Sequence, residues 1–148
     1  MPITERVESV EGALRWKDSI PLHYEYTAGV AGEKALRALM KGSILAGRCD
    51  VCEETSLPPR IYCVNCYSPI NKFVKVGTLG KVRALTQRPA EDGRSFVFVS
   101  FEGVRGGLVH HLIGRARVGD RVRPRFRAKA KRKGSIDDLL GFERDRSR

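Results

Sequence analysis

The sequence predicts a mainly β protein with N-terminal helices, in which a zinc ribbon precedes a five-stranded barrel of the OB-fold type. Three observations carry this expectation. All four cysteines of the 148-residue chain fall in a single C-x2-C-x10-C-x2-C pattern at positions 49, 52, 63 and 66. After Cys66 the apolar period becomes two, in short runs separated by turn-rich segments such as PAEDG and VRGG. Before Ser43 apolar residues recur at helical spacing instead.

The elements follow in order. Ile3 to Trp16 has Val7, Val10 and Leu14 on one helical face after the possible N-cap Thr4, although Gly12 weakens it. HYEYTAG at 23–29 reads as extended chain. Ala31 to Lys41 is a better helix, with Ala35, Leu36, Leu39 and Met40 on one face and Gly42 where a left-handed C′ residue belongs. Together these form an N-terminal helical segment, 1–42. Ser43 to Arg48 leads as a strand into the ribbon, 43–70, where Pro58 and Pro59 interrupt the chain at a turn toward the second cysteine pair. Lys72–Val76, Gly80–Arg88, Ser95–Glu102, Leu108–Arg115 and Arg121–Lys131 are then five strand-like runs, assigned to an OB-fold at 71–134. A small sandwich is the alternative. Residues 135–148 form a charged tail with one apolar patch, Leu139, Leu140 and Phe142, expected to dock on the barrel or on a partner.

Two C-x-x-C turns place two thiolates each on one side of a knuckle, and facing knuckles complete a tetrahedral sulfur shell with no open position. Disulfides compete with this reading. Paired C-x-x-C spacing and the absence of a secretory leader favour a metal, and the leader's absence with that of any membrane-spanning run points to the cytoplasm. Spacing alone accommodates zinc or iron. There is no nucleophile elbow, phosphate-binding loop, dinucleotide fingerprint or H-E-x-x-H, and the cysteines are committed to metal, so a non-catalytic role is expected.

Charge is unevenly spread. The chain has 28 Lys and Arg against 17 Asp and Glu, a net +11, and from Gly77 onward the count is 18 against 8. Such asymmetry suits an acidic partner, namely nucleic acid, nucleotide phosphates or an acidic protein surface, and equally a solvated arginine-rich face. It concentrates in Arg121, Arg123, Arg125, Arg127, Lys129 and Lys131, which alternate with Val122, Pro124, Phe126, Ala128 and Ala130. One face of that run is therefore cationic and the other largely apolar. Phe96 and Phe98 alternate similarly with Val97, Val99 and Phe101, either as a base-stacking surface or, more simply, as core and interface packing. His110 and His111, adjacent in a strand, are expected to point to opposite faces and not to act as a pair.

Gly42-x4-Gly47-x-Cys49-x2-Cys52, Leu57-Pro58-Pro59-Arg60-x2-Cys63-x2-Cys66, Gly77-Thr78-Leu79-Gly80 and the Val118-Gly119-Asp120-Arg121-Val122 turn resemble a two-domain family. That family joins a rubredoxin-like zinc ribbon to an OB-fold and was formerly a domain of unknown function. The resemblance covers most of 23–142 and favours zinc as the metal. It implies an accessory subunit of acyl-CoA enzymes, similar to the protein that bridges acetoacetyl-CoA thiolase and HMG-CoA synthase in archaea. Such a subunit promotes transfer of a thioester intermediate, with acyl-CoA or coenzyme A as a further implied ligand. On this reading Arg60 and the basic run are candidates for phosphate or partner contact, and packing across the ribbon is the competing role of Arg60. A nucleic-acid-binding ribbon and barrel using 121–131 is the alternative function. The chain departs from the family's pattern at Glu53, where glycine often follows the second ligand, and at Val64, where proline often follows the third.

Overall fold

The computed structural model describes residues 22–23, 25–87 and 95–146. The expected helix over Ile3–Trp16, Tyr24 and the PAEDG turn lie outside these residues. Helix α1 spans Gly29–Met40 and ends as the sequence predicts. Gly42 takes φ +78°, its N–H bonds the Leu39 carbonyl at 2.8 Å, and the Ser43 N–H reaches the Ala38 carbonyl at 2.9 Å. These are the two bonds of a Schellman stop, and a non-glycine residue at this φ would be strained. Ala31, Ala38 and Leu39 are buried along one side of α1.

Two sheets follow. The first is built on β1 (Leu45–Arg48), with β2 (Thr55–Leu57) and β3 (Lys72–Lys75) antiparallel on its two sides. A two-residue strand, β6 (Arg105–Gly106), adds parallel to β2. The second is a closed barrel in the order β4 (Gly80–Gln87), β5 (Ser95–Phe101), β7 (Leu108–Ile113), β9 (Leu139–Arg144) and β8 (Arg121–Phe126). The β7–β9 pair is parallel, and β8 returns to β4 through Lys81↔Arg121. A five-stranded closed barrel after a ribbon is the predicted fold class.

Besides the short β2 and β6, which the sequence reading does not name, the strand roster differs from it in three places. Lys72–Val76 was assigned to the barrel, yet Lys72–Lys75 pairs along the whole of β1, and Phe73 packs on the cysteine cluster, so this strand belongs to the ribbon sheet. The barrel's fifth strand comes instead from the segment read as a charged tail. Leu139 and Phe142 are fully buried there, drawn in because β7 and β8 both need a partner at that seam. Gly141 permits the approach, since a Cβ would collide with the His111 carbonyl. Finally, the basic strand stops at Phe126, not Lys131. The Arg127 N–H bonds the Asp138 carbonyl, and Lys129–Lys131 turns away as a single 3-10 turn.

Alternation sets what each strand buries. Val82, Val97, Val99 and Val122 are fully buried inside the barrel, and Phe101 packs near Phe142 with ring centroids 6.3 Å apart. The same core continues through Leu57, Ala46 and Ile44 to Leu39 of α1. Helix, ribbon sheet and barrel therefore share one apolar interior, and the knuckles form a second, small cluster around Cys49, Cys63 and Ile70. The Arg105–Glu54 ion pair at 3.0 Å and the Arg132 side chain, which bonds the Arg127 and Met40 carbonyls, tie the same parts together at the surface.

Candidate metal centre

The two cysteine pairs fold as near copies. The Cys49 N–H bonds the Glu54 carbonyl at 2.9 Å, and the Cys63 N–H bonds the Ser68 carbonyl at the same distance, each bond spanning five residues. In both turns the residue after the second cysteine is left-handed, Glu53 at φ +57° and Tyr67 at φ +58°. The strained position that the missing glycine marks in the first turn thus recurs, unmarked, in the second.

The knuckles bring the four sulfurs together. All four Sγ atoms lie within 4.8 Å of one another, with Cys49 to Cys66 and Cys52 to Cys63 each at 3.5 Å. Edges of a tetrahedron built on Zn–S distances near ~2.3 Å are close to this length, whereas a disulfide would hold its sulfurs at about 2.05 Å. No disulfide joins the cysteines, and Cys49 and Cys63 are buried. The Ser68 hydroxyl and backbone N–H hold the Cys66 thiol at about 6, below its ordinary 9.0, which makes it a thiolate at neutral pH. The Asn65 N–H adds a contact to the Cys63 sulfur at 3.4 Å. The residues fit the metal: this donor set could hold zinc in a tetrahedron, and four thiolates leave no coordination position for a substrate. What a metal would supply here is folding energy, for among the described residues Ile70 and Phe73 are the apolar side chains clustered with the cysteines.

The basic residues are dispersed by the fold. Arg121, Arg123 and Arg125 stay on the exposed face of β8, with Val122 and Phe126 packed inward. Opposite them β9 and the residue that follows it present acids: Arg123 pairs with Asp145 at 2.9 Å and Arg125 with Glu143 at 3.3 Å. Neighbouring β4 sets Lys81 directly beside Arg121. Arg127 is half-buried, its guanidinium on the Asp137 carbonyl at 3.4 Å, and Lys129 and Lys131 lie on the turn beyond the strand. Arg60 is exposed on the ribbon, away from this face, in a groove formed with the start of α1.

Two further groups stand out. Asp138, fully buried, accepts backbone N–H bonds from Lys133, Gly134 and Ser135 at 2.7–3.3 Å. Burial pushes its pKa up, and those three donors together with Arg127 outweigh it, leaving the carboxyl below its usual value. Only backbone geometry reveals this site; in sequence Asp137 and Asp138 fall in the charged tail. His110 and His111 also depart from expectation. Their rings meet edge to face at 5.3 Å, and His111 lies 4.6 Å from the Phe96 ring. Burial and then His111 lower the His110 pKa, opposed by the Ile136 carbonyl and Asp137.

Residues 37–71 match the model of the ChsH2 rubredoxin-like zinc ribbon domain. No curated protein matches the chain. Among solved structures, a protein of unknown function from the DUF35 family of Sulfolobus solfataricus is similar over 82% of this chain and 90% of its own, with 25% identity and a TM-score of 0.67. The Ltp2-ChsH2(DUF35) aldolase is similar in fold over 75% of this chain and 91% of that one, with 20% identity and a TM-score of 0.58. With four cysteines gathered for a metal and a closed five-stranded barrel behind them, these matches fit a zinc-ribbon plus OB-fold protein of the DUF35 family.

Proposed function

We propose that this chain is a non-catalytic accessory subunit of acyl-CoA enzymes, of the thiolase and HMG-CoA synthase type, that promotes transfer of a thioester intermediate between them. One observation carries the reading: the best-formed chemical site is a closed four-sulfur centre, which fixes a ribbon and offers a substrate no coordination position. All the thiols of the chain are used there. The likeness to a DUF35 protein in an aldolase assembly supports a role beside an enzyme. Acyl-CoA phosphates, or acids of the partner, are the anions we assign to Arg60 and to the cations that β9 leaves unmatched, chiefly Arg121, Lys129 and Lys131.

Pairing of Arg123 and Arg125 with acids of the same chain lowers the field that a phosphate backbone would meet along β8, which weighs against the nucleic-acid alternative. The test is purification of the tagged full chain from its own cells, with and without nuclease, followed by mass spectrometry. The expected result is nuclease-resistant recovery of an acyl-CoA enzyme. Recovery of nucleic acid alone, with every protein lost on nuclease treatment, would overturn the proposal.

A further inference from the structure

An apolar groove runs between the second knuckle and the first turn of α1. Tyr67 is 80% exposed, Val30 60%, Tyr62 58% and Ile61 50%, with Val64 beside them. On a chain this rich in charge, such a concentration of exposed aromatic and branched side chains has the composition of a protein interface. Scattered singly, these residues would need no explanation. Gathered around one groove, they do.

Tyr67 adds a second argument. Its φ of +58° favours glycine, so the side chain strains the backbone, and its exposure shows that it packs on little in return. A tyrosine there gains its packing outside the chain. The Tyr67 N–H bonds the Cys63 carbonyl at 3.1 Å, and Tyr62 bridges to Pro69, so the second knuckle fixes the backbone from which both rings project. A backbone already ordered lowers the entropic cost of placing such side chains in an interface.

The rim supplies a sign. Among the described residues that line the groove, Arg60 is the only Lys, Arg, Asp or Glu, the metal ligand Cys63 lying buried beside it, and no carboxylate of the described chain pairs with it. On the opposite wall α1 begins without a side-chain cap and without an acid in its first turn. Arg60 on one wall and the first-turn N–H groups of α1 on the other therefore both favour an anionic group on the partner.

We infer that this groove is the docking surface for the partner enzyme, and that the partner brings apolar side chains flanked by Asp or Glu. The inference rests on the accessory-subunit reading above and names its surface. Coordination of the metal shapes the groove but takes no part in the contact.

The test uses the acyl-CoA enzyme recovered with the wild-type protein, titrated against variants of the full chain. Tyr67→Gly relieves the backbone while deleting the anchor, so it is expected to keep its metal, to melt no lower than the wild type and to bind the partner roughly tenfold or more weakly. Arg60→Glu should weaken binding similarly, and Arg60→Lys should restore most of it. Wild-type affinity in both Tyr67→Gly and Arg60→Glu would overturn the groove as the docking surface while leaving the accessory role standing. Failure of the wild-type chain to recover any acyl-CoA enzyme would instead remove the reading on which the inference rests.

Discussion

Glu53 and Tyr67 occupy equivalent left-handed positions, and what differs between them is what the side chain does. Glu53 is exposed and accepts one hydrogen bond from Arg48 at 3.2 Å, an interaction of small value in solvent. Glu53→Gly is therefore expected to stabilise the protein by about 0.5–1 kcal/mol, read by denaturant unfolding of the metal-loaded chain. Asp138 behaves oppositely, because its carboxylate replaces missing partners for three backbone N–H groups. Its folded pKa lies below the unfolded one, so its contribution is complete above the ordinary carboxylate range near pH 3.8 and is lost as pH falls through the lower folded value. Asp138→Asn should flatten the acid limb of stability below about pH 4 and lower the melting temperature at pH 7. A variant whose melting temperature follows the wild-type pH profile would contradict this.

At the scale of the element, the ribbon was legible because metal ligation fixes both residue type and spacing, and four cysteines with nothing else to do leave little ambiguity. The knuckle strain was half legible: an absent glycine flagged Glu53, but a tyrosine at 67 carries no such mark. Helix α1 was legible from its end, where Gly42 meets a φ that other residues avoid. The strands were found more readily than their sheets. Period two announces a strand and its faces, as β5 and β8 show, but says nothing of which neighbour completes its hydrogen bonds. Lys72–Lys75 went to β1, and Leu139–Arg144 was recruited between β8, the strand before it, and β7, farther back in the chain. Glycine inside LLGFER hid the last strand, because the reason for it is a carbonyl of β7. The cationic face was read correctly from alternation, whereas its pairing with Asp145 and Glu143 depended on that hidden strand. Chelation of the metal is the element-level test: Cys49→Ser, or excess chelator at neutral pH, should release the metal and unfold the ribbon, since metal supplies an apparent ~10–16 kcal/mol in comparable structural sites. Unchanged metal content and near-ultraviolet dichroism in Cys49→Ser would contradict it.

Over the whole molecule the consequence is cooperativity. One cluster of buried side chains runs from Leu39 and Ile44 through Ala46 and Leu57 into the barrel, so the ribbon sheet shares its larger interior with the barrel and keeps only the small cluster of Cys49, Cys63 and Ile70 to itself. The metal-loaded protein should then melt in one calorimetric transition, with metal release and loss of barrel structure coinciding; two resolved transitions would show that the shared core couples them weakly. The barrel's closure makes a sharper demand. Phe142 is fully buried on β9, touching the space filled by Phe101, and β9 is the only strand joining β7 to β8. Phe142→Ala is expected to cost about 3–5 kcal/mol, a large share of the ~5–15 kcal/mol that holds a domain of this size together. Removing residues 135–148 goes further, opening the barrel at two edges and exposing Val97 and Val122 to solvent. A segment that was solvated tail could be deleted without effect. The closing strand cannot, so the truncated chain should lose its cooperative unfolding transition, and a truncated chain that melts like the full one would refute the role assigned to β9.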